Sequence, residues 1–285
     1  MNDSLQQLLN VLTPRKTGEG RFEGENMHPE MPRLYGGQVL AQSIFAAVQT
    51  VPDDRELHSQ HVYFLRPGNP REPVTYEVEV SRDGFSFSAR RVTAIQGGKP
   101  IYVAAMSFQA PSIGEEFQTE MPDVPAPETL ICEHKRAKLH GSMEDAFAVI
   151  TGPELDVRMV EPIDWNRANI REPQLEIWMR TRHPFEGGRG INKALLAYMS
   201  DAFLIDVCLV TKGMDATSRH IQLASLDHVL WFHAPFRADE WLLYVVQTER
   251  MSAGRGLANG RFYTRDGVLV ATCMQQALMR GRSAP

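Results

Sequence analysis

The chain has 285 residues, 43% hydrophobic and 23% charged, with 30 Lys and Arg set against 35 Asp and Glu. That apolar fraction, with a net charge of only −5, excludes a disordered chain, and the length suffices for one large domain or two ordinary ones. A mildly acidic balance without a long Lys/Arg run also excludes nucleic acid as a partner, because phosphate binding needs a basic face.

The N-terminal MNDSLQQLLNVL carries Asp3 and no Lys or Arg ahead of its apolar residues, so it does not read as a signal peptide. Behind Gly36-Gly37, the residues Val39, Leu40, Ile44, Ala47, Val48 and Val51 recur at spacings of three and four, which predicts a helix. Val74, Tyr76, Val78 and Val80 alternate as a strand, and Gly97-Gly98 marks a hairpin turn before a last apolar strand. Residues 111–130, PSIGEEFQTEMPDVPAPETL, combine Pro111, Pro122, Pro125 and Pro127 with five acidic residues. Fixed φ angles, missing donors and like-charge repulsion predict a segment extended over the surface.

The second half follows the same plan. Sliding the sequence on itself by 168 positions aligns Phe64 with Phe232, Pro67 with Pro235, Glu72 with Glu240, Tyr76 with Tyr244, Val78 with Val246, Arg82 with Arg250 and Met106 with Met274. Residues 194–210, apolar nearly all round, predict a helix buried on most sides. An alternating strand (Leu242, Tyr244, Val246), a turn at Asp266-Gly267 and a final apolar strand come after it. Each half therefore reads as a central helix followed by about four antiparallel strands, the sheet curving round the helix and the two sheets meeting edge to edge.

Within this frame three polar residues stand out. Asp201 has Ala197, Tyr198, Leu204 and Ile205 three and four positions away, so its ionised form costs several kcal/mol unless paired. It is either a functional acid or the N-cap of a shorter helix beginning at Ala202. Ser225 lies in an apolar strand, 221–232, on the parity of Ile221, Leu223, Val229 and Trp231. No G-x-S-x-G elbow surrounds it, which argues against a serine nucleophile. Gln275 shares parity with Leu269, Ala271, Cys273 and Ala277, where its amide needs partners at both ends. For both residues a purely structural bond is the competing reading. His58-x-x-His61 and His228-x-x-x-x-His233 have odd spacings that diverge on a strand, as do Asp227 and His228, so ordinary histidines are expected rather than a metal site or a dyad. Cys132, Cys208 and Cys273 lie far apart, excluding a redox pair or zinc spacing. Gly254-x-Gly256-x-x-x-Gly260 lacks the strand-to-helix context of a dinucleotide loop and reads as loosening a bent strand.

YGGQVLAQSIFAA (35–47), HSQHVYFLRPGNP (58–70), RDGFSFSARRV (82–92), QGGKPIYVAAMSFQAP (96–111), LDHVLWFHAPFRADEWLLY (226–244) and GRFYTRDGVLVATCMQQALMR (260–280) closely resemble the type II acyl-CoA thioesterases of the thioesterase-B type. The resemblance covers almost the whole chain and is weakest between about 112 and 175. It implies an α+β double hot-dog: an N-terminal repeat over 1–112, a Pro- and acid-rich linker with a connecting helix over 113–154, and a C-terminal repeat over 155–285 carrying the catalytic residues. It further implies hydrolysis of medium- to long-chain acyl-CoA to fatty acid and CoA by an activated water, without cofactor or metal. The matching positions are Asp201 as general base, Ser225 where several relatives have Thr, and Gln275, which the VQ-x-x-x-MR ending favours over Gln276. Arg90, Arg91 and Arg255 are candidates to meet the CoA phosphates. The alternatives are a hot-dog enoyl-CoA hydratase, for which no Asp/His pair in one loop is evident, and a non-catalytic acyl-CoA binder. The expected setting is a cytoplasmic homo-oligomer (dimer or tetramer) with acyl-CoA as partner and no membrane span, 194–210 being too short and too charged; the ending RSAP is not a peroxisomal address.

Overall fold

The computed structural model describes residues 3–140, 152–163, 170, 172–213 and 221–281. The spacing behind Gly36-Gly37 does form a helix, α2 (Gly36–Val48), with nearly every residue buried. Ahead of it lies an amphipathic helix to which the sequence reading gave no element, α1 (Asp3–Leu12), whose Leu5, Leu8, Leu9 and Leu12 join the core. Strands β1 (Arg15–Gly18) and β2 (Arg21–Gly24) follow α1, and β3 (Glu56–Phe64), β4 (Val74–Asp83), β5 (Phe87–Gln96) and β6 (Lys99–Gln109) follow α2. After α3 (Glu133–His140), the second half runs through β7 (Leu155–Met159), β8 (Gln174–Thr181), α4 (Ile191–Ser200) and α5 (Asp206–Val210). It ends with β9 (Ile221–Ser225), β10 (Asp227–Phe232), β11 (Leu242–Ser252), β12 (Arg255–Thr264) and β13 (Leu269–Gly281).

All the strands among the described residues belong to one sheet, ordered β1-β2-β4-β5-β6-β3-β10-β13-β12-β11-β8-β7, with β9 also paired to β13. The order is a palindrome about the antiparallel β3–β10 pair, where Val229 stands opposite His61 and Leu230 opposite Gln60. Residues 168 apart occupy equivalent places, Tyr76 on β4 and Tyr244 on β11 both being fully buried. Helices α2 and α4 cross against one another inside the curve. The fold is a double hot-dog. Both hairpin turns form where expected, with Gly97, Gly98 and Gly267 at φ +53°, +73° and +90°, conformations that favour glycine.

Three details differ from the pattern reading. A strand pair precedes each helix, β1–β2 in the first half and β7–β8 in the second; β1 and β2 are only four residues long. Residues 194–210 are not one helix: α4 stops at Ser200, Phe203 adopts φ +67°, and α5 starts at Asp206. The strand expected over 221–232 is interrupted at Leu226, which divides it into β9 and β10.

The Pro-rich segment is extended, as expected, and it covers a second apolar cluster on the C-terminal sheet. Met121, Val124 and Leu130 pack on Trp178, Trp241, Leu243, Val245 and Tyr263. Trp178 Nε1–H donates to the Pro125 carbonyl at 3.0 Å, and the Gln118 amide bridges the Gly267 carbonyl (2.7 Å) and the Leu269 N–H (3.0 Å). Trp241 carries the guanidinium groups of Arg158 and Arg180 over its ring, 5.0 and 4.3 Å from the centroid. Trp241→Ala is expected to lower stability by about 3–5 kcal/mol, read as a lower urea midpoint at unchanged slope.

Candidate active site

Helix α2 begins where α4 ends. Asp201 is the C-cap of α4, and its Oδ2 accepts a hydrogen bond from Gly37 N–H at 2.8 Å. A Cβ on Gly36 would stand 2.7 Å from that same Oδ2, and one on Gly37 would collide with the Tyr198 carbonyl oxygen. Both glycines are therefore needed for the approach. Tyr35 fixes the crossing, its hydroxyl donating to the Tyr198 carbonyl (2.8 Å) and its ring meeting the Tyr198 ring edge-on at 5.0 Å. Asp201 thus faces the positive end of α2 while sitting at the unfavourable, negative end of its own helix. Among the described residues it caps neither a helix starting at Ala202 nor any other helix N-terminus within its own half.

The other Asp201 oxygen, Oδ1, is buried and has no hydrogen-bond partner among the described residues. Burial raises the carboxyl above its usual range; His228, the Gly37 N–H, the Gln275 amide and the Arg33 charge all oppose the rise. Half-buried Asp206, in the first turn of α5, is pushed up to about 6 by burial and then by the neighbouring Asp201 charge.

Gln275 is fully buried on the face of Ala271, Cys273 and Ala277, as its parity implied. Its Nε2–H donates to Ser225 Oγ at 3.1 Å, and its Oε1 lies 2.6 Å from His228 Nδ1. Asp201, Ser225 and Gln275 therefore form one cluster. The parity assigned to Ser225, however, was wrong. On β10 the inward residues are His228, Leu230 and Phe232, whereas Val229 and Trp231 lie on the outer, partly exposed face. The interruption at Leu226, whose N–H donates to the Gln276 carbonyl at 2.9 Å, resets the alternation. Ser225 and His228, three apart, consequently both reach Gln275.

His228 is the residue that sequence reasoning passed over as ordinary. It is fully buried, with Nε2 3.0 Å from Ser200 Oγ, and burial lowers its pKa. The only signal was an inward His in an apolar strand, hidden by the unseen interruption. The other three histidines of the two spaced pairs are ordinary: His58 meets Ser107, His233 meets Thr272, and His61 is edge-on to Trp231. Asp227 accepts the Gln276 N–H at 2.8 Å, so no Asp227–His228 dyad forms.

Arg90 cannot meet a CoA phosphate. It is buried, forked onto Asp83 (2.8 and 3.1 Å) and bonded to Thr50 at the end of α2. Arg91 lies 3.9 Å from Glu79 on the outer face, and Arg255 opens β12 on the surface. Gly256 and Gly260 leave space for Met279 and Cys208 and for Tyr244 and Cys273, which makes them packing positions. Among the described residues, no group of three or more His, Cys, Asp and Glu could hold a metal ion.

Comparison with known proteins adds the class. The model for the acyl-CoA thioesterase N-terminal domain matches residues 25–109, and that for the C-terminal domain matches 123–279. The chain is 37% identical to acyl-coenzyme A thioesterase 8 of Homo sapiens over 281 residues, spanning 95% of this chain and 88% of the relative. It is 35% identical to acyl-CoA thioesterase 2 of Haemophilus influenzae, spanning 98% and 99%. A crystal structure of an acyl-CoA thioesterase II from Mycobacterium marinum superposes with a TM-score of 0.79 at 35% identity, covering 97% of this chain and 99% of that one. The chain belongs to the type II acyl-CoA thioesterases. It is an acyl-CoA thioester hydrolase that releases free fatty acid and CoA.

Gly36→Ala places a methyl group against the Asp201 carboxylate. It is expected to displace that carboxylate from the Gly37 N–H and lower stability by about 1–3 kcal/mol, read as a lower urea midpoint at unchanged slope.

Proposed function

We propose that the enzyme hydrolyses medium- to long-chain acyl-CoA by direct attack of a water held by Asp201, Ser225 and Gln275. The observation that carries this reading is the buried Asp201 Oδ1, unpartnered among the described residues and set beside the Gln275–Ser225 pair. Asp201 takes the water proton as general base, and Ser225 Oγ and Gln275 Nε2–H orient the water toward the thioester carbonyl. The first-turn N–H groups of α2 present a positive end to the developing oxyanion. Collapse of the intermediate breaks the C–S bond and expels the CoA thiolate, a leaving group good enough that no protein nucleophile is required. Phe64, packed at Gly36, and the buried Phe203 and Leu204 suit an aliphatic acyl chain.

Asp201→Ala is expected to cut kcat about 10²–10⁴-fold in a thiol-release assay. Ser225→Ala and Gln275→Ala should each cost about tenfold to a few hundredfold, with double mutants clearly non-additive, while Ser225→Thr retains substantial activity. Near wild-type turnover in folded Asp201→Asn would remove the general-base role.

The pH dependence follows from the raised Asp201 pKa. Activity should fall on the acid side as pH drops through that raised value, because the base is then protonated. Stability runs the other way: a carboxyl whose folded pKa exceeds its unfolded value favours the native state at low pH, and this preference is lost as pH rises from the unfolded to the folded value. Asp201→Asn should accordingly raise Tm at neutral pH.

The same reading divides the chain into repeats over 1–112 and 155–285 and places the enzyme in the cytoplasm, where free buried Cys132, Cys208 and Cys273 stay reduced. Among the described residues no helix is long and apolar enough to cross a membrane. A homo-oligomer is supported by the outer face at the β3–β10 seam, where Tyr63 is 62% exposed, Leu65 just beyond β3 is exposed too, and Trp231 faces outward further along. The β1 edge, four exposed residues including Arg15 and Lys16, discourages edge pairing and points the contact to that face. Light scattering at micromolar concentration should give a dimer or tetramer; a stable monomer would overturn this.

A further inference from the structure

The described polar cluster continues beyond the three residues that touch the water. From Ser225 it runs through Gln275 to His228 and on to Ser200 at the end of α4, with separations of 3.1, 2.6 and 3.0 Å. Every member after Ser225 is buried, so each polar atom needs a defined partner. We propose that His228, anchored by Ser200, is a positioning residue that locks the Gln275 amide with its N–H side toward the water and Asp201. This rests on the assignment of Asp201, Ser225 and Gln275 as the water-holding set.

Donor and acceptor counting carries the inference. A glutamine amide can be turned over, exchanging its oxygen and nitrogen, and in that orientation its oxygen would face Ser225 and the Asp201 carboxylate. Two acceptors would then oppose each other where the water must be held. The working orientation puts Gln275 Oε1 toward the ring, so His228 Nδ1 must carry the proton and donate to it. Neutral His228 then presents a bare Nε2, which requires a donor. Ser200 has one hydroxyl proton, which can go to the Ala197 carbonyl (2.9 Å) or to His228 Nε2 (3.0 Å); in this arrangement it serves the histidine. The alternative proton placement, Nε2–H donating to Ser200, leaves Nδ1 as an acceptor and turns the Gln275 amide the wrong way. The serine and the histidine tautomer thus select which end of the amide meets the substrate water.

The decisive measurements combine kinetics with the protonation site. Long-range ¹H–¹⁵N spectra of histidine-labelled wild-type enzyme should show His228 neutral with its proton on Nδ1. His228→Leu should lower kcat about ten- to a hundredfold with little change in KM, because the water and not the acyl-CoA is misplaced. His228→Asn puts an amide N–H where Nδ1 was and should recover most of that loss. His228→Gln reaches the Nε2 position instead and should not. His228→Leu combined with Gln275→Ala should be no slower than Gln275→Ala alone, since the histidine acts through the glutamine. If Gln275→Ala turns over like wild type, the water-holding set itself is wrong and this proposal goes with it. If Gln275→Ala is slow but His228→Leu is not, or Asn and Leu are equally slow, His228 has only a structural role and the set stands. Should His228→Leu fail to fold, the wild-type tautomer decides alone: a proton on Nε2 overturns the proposal.

Discussion

One hydrogen bond, from the Gly37 N–H of one half to the Asp201 carboxylate of the other, organises the candidate site. It forms only because two glycines let the N-terminus of α2 touch the C-terminus of α4, and because the β3–β10 pair locks both halves into one sheet. The far end of the same helix crossing is pinned differently. There Arg189 donates to the Val51, Pro52 and Arg55 carbonyls, and Lys193 pairs with Glu56 at 2.5 Å. At that end Gly190, φ +87°, lies against Val48 rather than an acid. The strand order is palindromic, but the acid that meets a helix N-terminus stands at one end of the crossing.

The electrostatics of that end show why the site is demanding. Asp201 lies close to Asp206, beside the hydroxyl of Tyr35, at the negative end of its helix, and it is His228, the Gly37 N–H, the Gln275 amide and the Arg33 charge that favour its ionised form. In the proposed mechanism a base that is costly to ionise is a stronger proton acceptor once ionised, so the same burial that penalises the fold would sharpen the chemistry. Two carboxylates within electrostatic reach of each other mean that their titrations belong to the pair.

Much of this was legible in the sequence, for identifiable reasons. Three-and-four spacing behind Gly36-Gly37 specified α2, the Gly97-Gly98 and Asp266-Gly267 pairs specified the hairpins, and the 168-residue offset specified the repeat. The parity of Gln275 with Ala271, Cys273 and Ala277 also held, because β13 is regular from Ala271 onward, whereas Leu269, expected on the same face, lies past a register shift and packs in the outer cluster. What failed shares a cause: local irregularity without a local marker. The turn after α4 reads Asp-Ala-Phe-Leu-Ile, with no Gly or Pro, and Phe203 holds a left-handed conformation imposed by its buried surroundings. The interruption at Leu226 is equally silent, and it alone decides that His228 points inward. The Pro-rich segment disclosed its extension but not its contacts, since Met121, Val124 and Leu130 gain meaning only against Trp178 and Trp241.

That last segment has a consequence for how such a duplicated enzyme can change. Lying across the outer surface of the C-terminal sheet, it acts as a tether that keeps the two repeats at a high effective concentration for each other. Repeats held in this way need not recognise each other as strongly as freely diffusing subunits, nor need they remain identical. One can keep the carboxylate while the other, with Val48 in the corresponding place, diverges into a platform that offers its helix terminus and nothing else. In this chain covalent linkage made asymmetry heritable: a division of labour that a dimer of identical subunits cannot encode is written into successive stretches of one polypeptide.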